Sequence, residues 1–182
     1  MSDSSVVLMT AAGLQQALDR LACAIAERVD PATPVVLVGI QRRGVFLAQR
    51  LSLSLSRTWN KSVPVGSLDV AMHRDDLDQR SAPPIYATMI PFDVTGKTVV
   101  LVDDVLFKGR TVRAAMDALN DLGRPQVIQL AVLIDRGHRE LPIQADFVGQ
   151  EISTAVTDRV NVELREVDNR EGVFLHSNGL AK

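Results

Sequence analysis

Val99-Val100-Leu101-Val102-Asp103-Asp104-Val105-Leu106-Phe107-Lys108-Gly109-Arg110-Thr111 is the stretch from which the fold is read. The unbroken apolar run 99–102 predicts a strand buried on both faces of a parallel sheet, and two adjacent carboxylates end it. Two ionised groups are expensive to bury. The pair therefore belongs at the carboxyl end of the strand, where open α/β sheets bind ligands in a crevice. A turn then leads to Val112, Ala115, Met116 and Leu119, spaced as on one face of an amphipathic helix, which Gly123 and Pro125 end. A glycine-containing loop entering a helix offers backbone N–H groups and the positive end of the helix dipole, both suited to a phosphate. Carboxylates beside it accept hydrogen bonds from vicinal ribose hydroxyls, so the combination points to a sugar phosphate.

Working outward, Leu14, Leu18, Leu21 and Ile25 predict an amphipathic helix over 11–28, ahead of the first strand, 35–40. Gln41 to Gly44 reads as a turn into a second helix carrying Val45, Phe46, Leu51 and Leu55. Residues 63–73 read as the next strand. Residues 74–88 mix charged and polar groups with Pro83-Pro84 and read as a mobile excursion. Another buried strand is expected over 127–134, ending at Asp135-Arg136-Gly137-His138, with further strands near 146–152 and 162–167 and fraying from His176. No repeat or linker divides the chain, so one domain, 1–182, is expected.

A strand ending in two Asp residues also occurs in receiver-type folds, where the pair follows the first strand. Here it falls at positions 103 and 104, too late for that order. Hydrophobic residues make up 46% of the chain and aromatics only 4%, so the interior is built from Val, Leu, Ile and Ala, as in a sheet covered by helices. The class is α/β. A net charge of −2 and a pI near 5.9 supply none of the basic excess typical of nucleic-acid binders. Cys23 is the single cysteine, which excludes an internal disulfide and a Cys-based zinc site. No export signal or membrane-length apolar window is present, so a cytoplasmic protein with no membrane partner is expected.

The 99–111 stretch resembles the phosphoribosyl diphosphate (PRPP) motif of type I phosphoribosyltransferases: a hydrophobic strand, two acidic residues, and a loop closing in Thr-Gly-x-Thr. Here the loop closes in Lys108-Gly109-Arg110-Thr111. Four further blocks, 38–44, 73–77, 90–93 and 129–143, the last containing Asp135-Arg136-Gly137-His138-Arg139-Glu140-Leu141-Pro142-Ile143, are similar to the PyrR family of pyrimidine operon regulators. That resemblance implies the type I phosphoribosyltransferase fold, a mostly parallel central sheet flanked by helices, with a small hood and a flexible active-site loop. It also implies two functions. One is uracil phosphoribosyltransferase activity, converting uracil and PRPP to UMP and diphosphate. The other is regulation of pyrimidine biosynthesis genes by transcription attenuation, through mRNA leader binding in response to UMP or UTP.

Site roles follow from the same resemblance. Asp103 and Asp104 would stabilise a ribosyl centre that develops oxocarbenium character, and Arg42 and Arg43 would meet the departing diphosphate. Arg74, Asp75 and Asp76 open the flexible loop. Arg136 and the backbone around Val160 border the base, with an internal carboxylate pair for Arg136 as the alternative. Arg20, His138 and Arg139 are the RNA-facing candidates. Mg²⁺ is carried mainly by PRPP, without a dedicated protein metal site. Homodimers or homotetramers are implied. Lys108 departs from the usual Thr or Ser of the phosphate loop, which leaves open a nucleotide-sensing regulator with little transferase activity. Asp19 and Glu151 repel phosphate, which leaves open a salvage enzyme without an RNA role.

Overall fold

The computed structural model describes residues 5–73 and 86–176. Along them run β1 (Ser5–Thr10), α1 (Ala11–Arg28), β2 (Val35–Ile40), α2 (Arg43–Trp59), β3 (Val65–Leu68), a 3-10 turn (Ala71–His73) and β4 (Thr98–Leu106). They continue as α3 (Arg110–Leu122), β5 (Val127–Asp135), β6 (Phe147–Glu151), β7 (Arg159–Glu163), α4 (Arg165–Asp168) and β8 (Gly172–His176). Five strands form a parallel sheet in the order β3-β2-β4-β5-β6. The other three, β1-β8-β7, form a small antiparallel sheet that makes the hood.

Helices cover both faces of the parallel sheet, which is why all six residues of β2 are buried. Leu37, Val100 and Val102 face one core with α1, α2 and the hood, while Val36, Val38, Val99 and Leu101 face a second core with α3. In α1, Leu14, Leu18, Leu21 and Ile25 are each at most 3% exposed. Each such side chain contributes about 1.5–3 kcal/mol on burial. Thr10 caps this helix by accepting the Gly13 N–H at 3.3 Å.

The feature that builds the site is the unequal length of β4's two neighbours. Its pairing with β2 ends at Gly39↔Val102, whereas its pairing with β5 runs on to Leu106↔Asp135. The strand therefore does not stop at Val102 as expected. β5 keeps supplying hydrogen-bond partners, so Asp103 and Asp104 sit within the strand where it has outrun β2.

Other departures lie at the margins. β1 precedes α1, and its exposed Val6 and Val7 break the alternation that would have marked it. The strand expected over 63–73 is only Val65–Leu68, because the chain coils into the 3-10 turn at Ala71–His73. The strand expected over 162–167 ends at Glu163. There the Asp168 carboxylate accepts the Leu164 N–H at 3.0 Å and wraps the chain into α4. Of the end expected to fray, His176 closes β8 opposite Ser5 and Arg159, and residues 177–182 lie outside those described. Of the expected mobile segment, residues 74–85 lie outside those described. Its end is anchored, with Thr88 Oγ1 accepting the Asp69 N–H at 3.1 Å and Met89 bridging to Ser67.

Gly44 allows the first turn of α2 to rest directly on β4: a Cβ there would lie 2.4 Å from the Val102 carbonyl oxygen and 3.2 Å from Asp103 Cα. Gly44→Ala is expected to lower stability by about 1–3 kcal/mol, the usual cost of forcing a methyl into a filled contact, read as a reduced urea midpoint.

Candidate functional site: an acid pair beside a phosphate loop

Asp103 is 6% exposed and Asp104 is half-buried. Asp103 Oδ1 accepts the Asp104 N–H and Asp104 Oδ1 accepts the Val105 N–H, each at 2.9 Å. Loss of water pushes the Asp104 carboxyl above the ordinary aspartate range. The hydrogen bond with Asp103, the charge of Arg43 and the backbone N–H groups pull the other way without overcoming it.

Arg43 begins α2, two residues before the helix start implied by an expected turn through Gly44. Its guanidinium does not stand open for a diphosphate: it donates to both oxygens of Asp168, Nε at 3.0 Å and Nη2 at 2.8 Å. This bidentate pair ties the wall of the acid pair to α4. Arg50 strengthens the same seam through Glu166 and Glu171. Burial alone would raise Asp168, but the Arg43 hydrogen bonds, the Leu164 N–H and the charges of Arg43 and Arg42 hold it below its usual value. Arg42, at the N-cap of α2, is exposed.

Beyond the acids, Phe107 to Gly109 turn the chain into α3. Gly109 caps that helix with φ of 91°, in the left-handed region glycine tolerates. No side chain caps α3 and no acidic residue occupies its first turn, so its positive end faces a cavity of about 300 Å³ lined by Asp103, Lys108, Gly109, Arg110 and Thr111. Lys108 does not fill this cradle. Its Nζ lies 2.6 Å from Glu140 Oε1 and 5.7 Å from the Phe107 ring centre, while Arg110 Nε donates to Glu140 Oε2 at 2.9 Å.

Of the cations expected to face outward, Arg136 is buried and Arg139 half-buried, while Arg20 and His138 are exposed, and each bonds within the chain. Arg136 is 5% exposed, stacks 4.1 Å above Phe107 and donates to Thr154 Oγ1, Ala155 O and Asp158 O. Those three bonds go to a hydroxyl and two carbonyls rather than to a carboxylate. Arg139 donates to the carbonyls of Phe107, Gly137 and Ile143 and pairs with Asp135. His138 Nε2 lies 2.7 Å from Thr154 O, and Arg20 donates to Gly149 O at 3.0 Å. Val160 buries its side chain in the core and pairs through its backbone with Leu175. Arg136, His138 and Arg139 line a larger cavity of about 800 Å³ together with Asp135, Glu151 and Thr154. Arg74, Asp75 and Asp76 lie outside the described residues. Sequence reasoning missed Asp168 and Glu140, for their partners lie 125 and about 30 residues away and no spacing signals such pairs.

Sheet, hood, acid pair and loop together define a phosphoribosyltransferase, and residues 10–166 match the phosphoribosyl transferase domain family. Hypoxanthine phosphoribosyltransferase of Trypanosoma cruzi has the same fold, with a TM-score of 0.72 at 19% identity over 94% of this chain and 95% of that one. The enzyme of the same name from Staphylococcus aureus gives 0.69 at 19% identity, covering 99% and 95%. The chain is 54% identical over 169 residues to the "Bifunctional protein PyrR" of Chloroflexus aurantiacus, covering 92% of this chain and 93% of that one. Its counterpart in Streptomyces coelicolor is 53% identical over 163 residues, covering 89% and 84%. The chain belongs to the PyrR family.

Opposite pH signatures follow for the two aspartates. A carboxyl raised by folding destabilises the folded state once pH exceeds the unfolded value near 4, so Asp104→Asn is expected to unfold at higher temperature than wild type at pH 7, the gap closing as pH falls below 4. Asp168 is lowered, so its contribution is present above pH 4 and lost as pH falls through its folded value. Asp168→Asn is expected to melt earlier at pH 7 and converge with wild type in acid.

Proposed function

We propose that the chain, 1–182 acting as one phosphoribosyltransferase-like domain, is a uracil phosphoribosyltransferase that also regulates pyrimidine biosynthesis genes by binding mRNA in response to uridine nucleotides. The observation that carries the transferase is the acid pair on β4 a few residues from the uncapped start of α3. Ribose hydroxyls donate to Asp103 and Asp104, while the backbone N–H groups of the loop and the Thr111 hydroxyl hold the 5-phosphate. As the anomeric bond breaks, the carboxylates stabilise the developing positive charge in a site already shielded from water. Arg42, exposed at the start of α2, meets the diphosphate, and Arg43 acts one step back by fixing α4 and the wall beside Asp104.

The paired carboxylates are hard oxygen donors of the kind Mg²⁺ accepts beside a diphosphate. When bound with PRPP, Mg²⁺ would supply charge neutralisation at the leaving diphosphate, with Asp103 and Asp104 as the residues near enough to hold it. The pairing of Lys108 with Glu140 supports catalysis over the sensing-only reading, since the lysine is held at the rim and does not block the cradle. For regulation, His138 and Arg139 line the larger cavity, and Arg20 donates to Gly149 O on β6. Their internal engagement favours, as a second reading, a transferase with no RNA role. Cytoplasmic location and assembly as a homodimer or homotetramer complete the proposal. Among the described residues no helix is long and apolar enough to cross a membrane.

A steady-state assay of UMP formation from uracil and PRPP with Mg²⁺ tests the reading. Wild type is expected to turn over, Lys108→Thr to stay within about tenfold of it, and Asp104→Asn to lose at least about a hundredfold. A silent wild type with activity appearing only in Lys108→Thr would establish a regulator that uses the pocket as a sensor. In a parallel binding assay, mRNA leader hairpin affinity is expected to rise with UMP and fall steeply with salt. Salt-insensitive or absent binding leaves the salvage enzyme.

A further inference from the structure

Among the described residues, Glu140 is the acidic side chain that reaches both cations of the phosphate loop. Its two oxygens lie 2.6 Å from Lys108 Nζ and 2.9 Å from Arg110 Nε. All three side chains are 35–42% exposed, and ion pairs so wet add little to stability. The arrangement is nevertheless held firmly. The Glu140 N–H donates to Lys108 O at 3.1 Å, and Arg139 next to it clamps the Phe107 carbonyl at 2.9 Å. Behind the loop, Leu141 and Ile143 stand next to Gly109, at a distance where a Cβ there would meet them in ordinary van der Waals contact. The Glu140 backbone is thus stapled to the loop, which presents its carboxylate to both cations.

We propose that Glu140 is the resident anion of the phosphate loop: it holds Lys108 and Arg110 until a sugar phosphate displaces it, and so sets the affinity for phosphorylated ligands. This rests on the transferase reading above. Hydrogen bonds from Lys108 and Arg110 keep the Glu140 carboxyl below its usual range, so it is an anion throughout neutral pH. A phosphate dianion brings more charge and three acceptor oxygens to the same two cations, so it wins the exchange. The exchange is shallow, because what the ligand gains from the cations is offset by what Glu140 gives up. Glu140 is a positioning residue here: it acts through Lys108 and Arg110, weakening product retention and favouring release of UMP. It also accounts for a lysine at position 108, whose charge is neutralised while the loop waits.

Calorimetric titration with UMP, run beside PRPP kinetics, decides the matter. Glu140→Gln is expected to bind UMP about fivefold more tightly, the scale of two exposed ion pairs. The KM for PRPP is expected to fall in step without a rise in kcat. Glu140→Asp, one methylene shorter, is expected to lie between, and the gain to shrink in a Lys108→Thr background where the Lys108–Glu140 pair is already absent. Thermal melts close to wild type show that the fold is unchanged. UMP binding that is unchanged or weaker in Glu140→Gln overturns the role of Glu140 and leaves the transferase reading intact. A wild type and a Glu140→Gln variant that both fail to bind UMP or PRPP overturn the two readings together.

Discussion

The site depends on one constraint: β4 has a neighbour on one side for longer than on the other. After Val102 the strand keeps its ladder with β5 and loses β2, so its backbone stays extended while one edge opens. Two carboxylates placed there are desolvated by the core beneath them yet accessible from the open edge. Neither a wholly buried strand nor an exposed loop supplies both conditions, and a glycosyl transfer needs both: carboxylates poorly hydrated before the ligand comes, and a route by which it comes. Gly44 and Arg43 follow from this. The glycine lets α2 approach the strand where β2 has ended, and the arginine at its side supplies the positive charge that the acid pair requires.

A second theme is the turning inward of cations. Arg20, Arg43, Arg136 and Arg139 look, as letters, like ligands for phosphate or nucleic acid. In the fold each donates to a carbonyl or carboxylate of its own chain, and Phe107 is held twice, its ring by Arg136 and its carbonyl by Arg139. Arginine suits this work because its planar fork satisfies several acceptors at once with little rearrangement. The long 135–143 block is therefore a brace behind the phosphate loop, with a cavity on its far side. Phosphate loop and cavity share one rigid wall.

How much of this was legible beforehand varies by element. The boundaries of α1 and the second strand were readable to the residue because leucines recur at helical spacing and Val35–Ile40 is uninterrupted. The end of β4 was not, since a carboxylate in a sequence marks a preference for water but not whether the neighbouring strand is still present. β1 and β8 escaped notice because a hood strand is short and half-exposed, and its pairing joins the two ends of the chain: Ser5 lies opposite His176. Lys108 read as an obstruction only as long as Glu140 was thirty residues away.

By itself the sequence determined the α/β class, the place of the acid pair and phosphate loop in the order of elements, and the family resemblance. All of these are written in local periodicity and contiguous motifs. Tertiary structure alone decided which charges face a ligand and which are already satisfied, because an ion pair such as Arg43–Asp168 joins residues with no local relation in the chain. The same residue type serves as ligand or as mortar according to what folding brings within about 3 Å of it. Periodicity reports burial, but partners are a property of the assembled fold.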